Sequence, residues 1–232
     1  MRALLLVTRF AVISFLAGFA STTMAADAGA IQQIAGTVTI TGADNVTRTA
    51  TSKDKIQSGD TISTDAKSET LIKMSDDSSI ILRQNTRFQL VDYKYEKEPT
   101  DSTLVSLLRG TARFVTGLVG KRNPNNVRVS TVTVTIGIRG TDFEVAVLPE
   151  DTADARAGVY DFVHEGSTNI MLAQSGQNLD VKKNQTGFAP DKLKPGEDPL
   201  QILHETPIFL QSGGGLDAII ESITAPIPMF FR

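Results

Sequence analysis

The residues able to do chemistry are few and scattered. Asp76 and Asp77 stand side by side in SDDSS, between two strand-like runs, and paired carboxylates can cleave glycosidic bonds when held at a suitable separation. Adjacent acids on a polar turn more commonly bond their own backbone, with Asp and Ser closing a hairpin. SDDSS also lacks the spaced oxygen donors of a calcium loop. His164 and His204 are the two histidines and lie about forty residues apart in neither an HxH nor an HExxH spacing, so no histidine metal site is expected. The chain has no cysteine, which removes thiolate metal ligands, cysteine nucleophiles, disulfides and an acylated N-terminal cysteine. A Ser-His-Asp triad is allowed by composition, but no GxSxG elbow occurs, and neither GxGxxG nor GxxxxGK[ST] is present to cradle a phosphate. The expectation is a chain with no catalytic residue, no cofactor and no metal.

The stretch TIGIRGTDFEV, Thr135 to Val145, is the other place a catalytic loop would be sought. Gly140 permits a positive φ or a close backbone approach. Thr141 can close a turn through its hydroxyl, and Phe143 and Val145 resume an inward face. Arg139 carries a planar fork suited to a carboxylate, with Asp60, Asp142 or Glu144 as candidate partners. A corner of the fold explains this pattern better than a ligand site.

The elements that would position these residues are strands. GTVTITG places Val38 and Ile40 on one face and Thr37 and Thr39 on the other, and ETLIKMSDDSSIILRQNTRFQLVDY contains three further alternating runs. Period two with β-branched residues is the strand signal. Similar runs recur every 8 to 12 residues or so, with Gly, Asn, Asp or Ser between them. The expected fold is all-β: a compact β-roll or solenoid-like pair of sheets, with a β-sandwich as the alternative, followed by a short helical C-terminal tail.

The ends differ from the middle. Residues 1–25 put Arg2 and Arg9 before an apolar run, with Thr23 and Ala25 placed as in a cleavage site. This predicts a secretory signal peptide, and Arg9 interrupts the only run that could span a bilayer. Without those two arginines the 23 basic residues become 21 against 26 acidic ones, a net charge of −5. That balance argues against a nucleic-acid partner. The expected organisation is a signal peptide over 1–25, a β domain over 26–190, and a linker with an apolar tail over 191–232. In the tail, Leu216, Ile219, Ile220 and Ile223 fall on one helical face after a run of glycines. So short a helix forms only when docked, on its own domain or on a partner.

The order of the pieces is informative. Gly59-Asp60-Thr61-Ile62-Ser63-Thr64, then Leu107-Leu108-Arg109-Gly110 as a strand end, then Arg139-Gly140-Thr141-Asp142-Phe143 together resemble the FecR domain family, the periplasmic domain of ferric-citrate-type regulators, over about 34–189. Where that family usually has Asp-Gly-Ser, this chain has Asp77-Ser78-Ser79, so the turn there is expected to be built differently or to be one residue longer. In such regulators the domain follows a cytoplasmic anti-sigma segment and a transmembrane helix. Here an export signal is followed almost at once by the domain. The resemblance therefore implies a periplasmic or secreted binding, scaffold or signalling module of the bacterial envelope, with a protein partner and no integral membrane segment after cleavage. A cell-wall glycan is the alternative ligand, weakened by the absence of Trp and the presence of only 3 Tyr.

Overall fold

The computed structural model describes residues 26–140, 142–211 and 215–218. The signal-like residues 1–25, Thr141, and the tail positions Ile219, Ile220 and Ile223 lie outside them.

The chain weaves between two facing sheets, A and B. β1 (Gly29–Ala35) lies in sheet A, and the hairpin β2 (Val38–Thr41) and β3 (Thr47–Thr49) in sheet B. β4 (Lys55–Ile56) returns to β1, and β5 (Thr61–Thr64) to β2. β6 (Glu69–Met74) and β7 (Ser79–Leu82) form a hairpin in sheet A, while β8 (Arg87–Lys94) joins β5 in sheet B. The 14-residue β9 (Ser102–Val115) belongs to both sheets. A short helix α1 (Leu118–Arg122) and a 3-10 turn follow. Pairs of strands then alternate between the layers: β10 (Val127–Ser130) and β11 (Val134–Ile138) in B, β12 (Asp142–Leu148) and β13 (Gly158–Glu165) in A, β14 (Ser167–Leu172) and β15 (Asn178–Lys182) in B, β16 (Thr186–Pro190) and β17 (Gln201–Ile202) in A. A one-turn helix, α2 (Ile208–Gln211), comes next.

Sheet A thus runs β4-β1-β6-β7-β9-β12-β13-β16-β17, and sheet B runs β3-β2-β5-β8-β9-β10-β11-β14-β15. All neighbours are antiparallel except β9 and β10. The architecture is all-β, as the alternation predicts, with the two layers continuous through β9.

That continuity depends on Gly110. It has φ +84, and a Cβ there would lie 2.5 Å from the Thr86 Cα. Residues before it pair with β8 and β10, and residues from it onward pair with β7 and β12. Leu107 to Gly110 is therefore not a strand end but the bend at which one strand changes layer. A single glycine suffices because only an unsubstituted Cα accepts both the left-handed φ and the contact with the neighbouring backbone.

The core fills the space between the layers. Ile31, Ile62, Leu82, Phe88, Leu107, Val145 and Ile170 are fully buried, each removing an apolar side chain from water for about 1.5–3 kcal/mol before entropy is counted. Sheet B keeps a wet outer face: β2 and β5 alternate buried with half-buried residues, the pattern of a sheet with one solvated side. The central strands of sheet A do not. All four residues of β7 and five of the seven in β12 are buried, because the C-terminal segment lies over the outer face of that sheet.

Residues 191–201, which open the stretch expected as linker and apolar tail, and the residues after them up to 211 contribute to this closure. Leu200 joins the core, β17 extends sheet A beside β16, and Leu210 packs with Ala146, Tyr160 and Phe188. Charge and proline in Asp191 to Gln201 mark a surface turn here, and the apolar residues after it fold back.

Candidate functional site

The arginine turn is the link between β11 in sheet B and β12 in sheet A. Arg139 is exposed, and its backbone N–H donates to the Ser167 carbonyl at 3.0 Å, tying the corner to the start of β14. Gly140 has φ +66 and open space where a Cβ would stand, so its requirement is conformational and not steric. Thr141 lies outside the described residues. Phe143 is 1% exposed and stacks on Phe114 with ring centroids 5.0 Å apart.

Arg139 does not meet the carboxylates expected for it. Asp60 accepts from the Gln57 backbone N–H at 2.9 Å and closes the turn that precedes β5, where Gly59 has φ +94. Asp142 and Glu144 belong to two other arginines. Their side chains leave β12 on the outer face of sheet A, whereas Arg139 lies beside Arg128, Thr135, Asn169 and Met171 in a shallow groove on sheet B.

The acid pair Asp76-Asp77 is hairpin chemistry. Asp77 adopts φ +67, a left-handed conformation that Asp tolerates better than most residues. Asp76 accepts from the Ser78 N–H at 3.1 Å and hydroxyl at 2.6 Å through Oδ1, and from the Val119 N–H at 3.1 Å through Oδ2. The turn is thus built on Asp76-Asp77-Ser78, with Asp77 at the glycine-favouring place, one residue earlier than the spacing suggests. His164 and His204 sit apart, on β13 and on the loop after β17. Among the described residues no three of His, Cys, Asp and Glu converge as metal ligands would.

The concentration of charge that sequence reasoning misses lies on the outer face of sheet A. The register aligns Leu71 of β6, Ile81 of β7, Arg113 of β9, Glu144 of β12 and Phe162 of β13 in one row. Arg83, which follows β7, uses Nε and Nη2 to grip both oxygens of Glu144, the second at 3.1 Å. Arg113 grips Asp142 in the same way, at 2.9 and 2.8 Å. Each guanidinium then turns a further N–H to one carboxylate. Arg83 Nη2 donates to Asp217 Oδ2 at 3.0 Å, and Arg113 Nη1 to Asp217 Oδ1 at 3.3 Å. Glu69 stands 3.9 Å from Arg83 Nη1, and His164 Nε2 stands 3.6 Å from Glu144 Oε2.

These groups are buried: Glu144 is fully enclosed, Arg83 and Arg113 are 8% and 7% exposed, and Asp217 is 5% exposed. Burial alone would favour neutral arginines, but the bonds and charge of Glu144, with Asp217, hold the Arg83 guanidinium above its ordinary range. Arg113 is raised likewise, chiefly by Asp142 against the cost of burial. Paired, hydrogen-bonded charge is the condition on which burial is tolerated.

Described residues of the tail pack around this network. Leu216 seats against Leu71, Ile81 and Val115. On the same face, Phe209 meets Tyr160 edge-on at 5.3 Å, and Tyr160 lies 4.5 Å from Phe188. Of the positions expected to dock a partner, Leu216 is placed here on the chain's own domain.

A family model described as FecR protein matches residues 60–161, from the turn before β5 into β13. A candidate anti-sigma factor from Parabacteroides distasonis ATCC 8503, in crystal structures at 1.65 and 2.50 Å, aligns with TM-scores of 0.47 and 0.48 and identities of 14% and 15%. Each alignment covers 62% of this chain and 59% of that one, so the match spans less than two thirds of the length of those proteins. A structure described as a cell surface anchoring domain aligns over 27% of this chain and 82% of its own, at 21% identity and a TM-score of 0.26. No curated protein matches the chain. With the bend at Gly110 and the corner at Arg139 both inside the matched span, residues 60–161 of this chain are a FecR domain.

Proposed function

We propose that this chain is a non-enzymatic protein-recognition module of the bacterial envelope, exported to the periplasm or beyond, with a regulatory task. The observation that carries the reading is that sheet A already binds peptide segments of its own chain, residues 203–211 and 215–218, by an apolar strip and a two-arginine clasp. A face that grips one peptide has the chemistry to grip another. The FecR match supports a signalling or regulatory role of the same kind. No helix among the described residues is long and apolar enough to cross a membrane. A second surface is available at β15, which among the described residues pairs with β14 alone at the border of sheet B and offers backbone donors and acceptors to an added strand.

Site-specific photo-crosslinking in the native envelope tests this. A crosslinker at Lys182 on β15, and another at Leu193 near the tail, should each be tried in the full chain. The expected result is a discrete protein adduct from at least one position. Absence of any protein adduct, together with co-sedimentation of the purified chain with peptidoglycan, would replace this reading with glycan binding.

A further inference from the structure

The arginine pair on sheet A is arranged as a receptor for one carboxylate. Glu144 and Asp142, two residues apart on β12 and on the same face, each fix one guanidinium through a two-toothed grip. The forks are therefore oriented by the β domain itself and not by the tail. One further N–H of each arginine points outward, from Arg83 Nη2 and Arg113 Nη1, and the two meet on the two oxygens of Asp217. Beside this clasp lies an apolar step of Leu71, Ile81 and Val115, which takes the residue before the acid, Leu216. A further donor, Arg83 Nη1, is buried with no hydrogen-bond partner among the described residues and faces Glu69 at 3.9 Å.

The ligand is held by little else. Among the described residues of 215–218, Gly215 and Ala218 are exposed, and Leu216 adds one backbone bond to Glu69 at 3.4 Å. In sequence the segment follows Ser212-Gly213-Gly214, which supplies no large side chain to anchor it. The cradle surrounding Asp217 holds two guanidiniums and the carboxylates Glu69, Asp142 and Glu144, with His164 facing Glu144. It is not a positively charged patch, so recognition rests on aimed N–H groups and a hydrophobic step more than on long-range attraction.

We propose that this cradle is a peptide-recognition site specific for an aliphatic residue followed by a carboxylate, and that Leu216-Asp217 is its displaceable internal ligand. A partner presenting the same pair in a turn, the conformation of Gly215 and Leu216 here, takes the site when the tail leaves. Tethering places the internal ligand at an effective concentration on the order of millimolar, so the tail sets the threshold a partner must exceed. This gives chemical content to the protein-recognition reading and rests on it only for biological purpose.

The test uses the purified full chain and a fluorescein-labelled peptide of the sequence of residues 213–220, followed by anisotropy. Asp217→Ala in the full chain vacates the clasp. That variant should bind the peptide at least ten-fold more tightly than the wild type, and replacing the peptide's own Asp by Asn should weaken binding at least ten-fold. A folded Asp217→Ala chain that binds no better than wild type overturns the proposal. If the variant does not fold, hydrogen exchange of the wild type decides: amides of 216–218 exchanging well before those of β7, β9 and β12 support a displaceable ligand, and exchange only on global unfolding overturns it. Purified components make this result independent of whether an envelope adduct is found.

Discussion

Asp217 receives a hydrogen bond from Arg83 at 3.0 Å across 134 residues of chain. The contact closes a network whose members are unequal. Arg83 and Arg113 keep their partners on β12 when Asp217 is removed, whereas Glu144 loses its bidentate partner when Arg83 is removed.

Substitution should reveal that inequality. Asp217→Asn should cost about 1–2 kcal/mol, the scale of a charge-assisted hydrogen bond lost at a site that can rehydrate. Arg83→Met leaves Glu144 as an enclosed carboxylate without its main cation and should cost about 3–5 kcal/mol. Urea denaturation of both variants measures this, and equal losses would contradict the hierarchy of grips.

Asp161 should make stability fall as pH rises. It is fully buried on the core side of β13, hydrogen-bonded by Thr168, with Oδ1 unpaired among the described residues. Burial pushes its carboxyl up from 3.8 to about 7. Below about pH 4 both folded and unfolded forms are protonated, and the group costs nothing. Between the two values the folded form retains a proton that the unfolded form has lost, so its contribution declines by about 1.4 kcal/mol per pH unit, and above about 7 the decline ends. Asp161→Asn should remove this slope and gain on the wild type between pH 5 and pH 8. Parallel stability curves for the two proteins would refute it.

Two glycines with left-handed φ should respond differently to alanine. At Gly110 the methyl meets the Thr86 backbone at 2.5 Å, and the variant should lose 3 kcal/mol or more, on the order of the largest single-site effects, or fail to fold. At Gly140 there is open space, so the cost is the conformational one alone, about 1–2 kcal/mol. Comparable midpoints in denaturant for the two variants would count against Gly110 as the layer-changing bend.

Within the corner motif, stability should reside in the aromatic residue. Phe143→Ala empties a core position and should cost about 3–5 kcal/mol. Arg139→Ala acts on an exposed side chain and should stay within about 0.5 kcal/mol. A large loss from Arg139→Ala would mean that the arginine holds the corner after all.

The alternation of apolar and polar residues determined a great deal by itself. A period of two states where strands lie, because successive side chains leave a strand on opposite faces whatever the fold. It therefore identified the all-β class and the inward faces that carry Val38, Ile40, Phe143 and Val145, while the order of short motifs separately pointed to the FecR family. It could not state which layer a strand joins, since both layers produce the same pattern. Nor could it separate a strand end from a bend at Gly110, because a glycine serves either. The one-residue displacement at Asp77 escaped for a related reason: an acid at a left-handed position has no signature distinct from an acid beside it.

The clasp was illegible for a different reason. Arg83, Arg113, Glu144 and Asp217 are ordinary charges in sequence, and the nearby carboxylates made Asp142 and Glu144 look like partners of Arg139. Strand geometry reversed that expectation by sending those side chains to the outer face of sheet A. SIIL at β7 likewise reads as a short apolar run, and its double burial follows only from what covers it. Sequence determines which residues share a face of a strand, because that is local stereochemistry. Only the tertiary structure decides what lies opposite that face, because the returning chain comes from more than a hundred residues away.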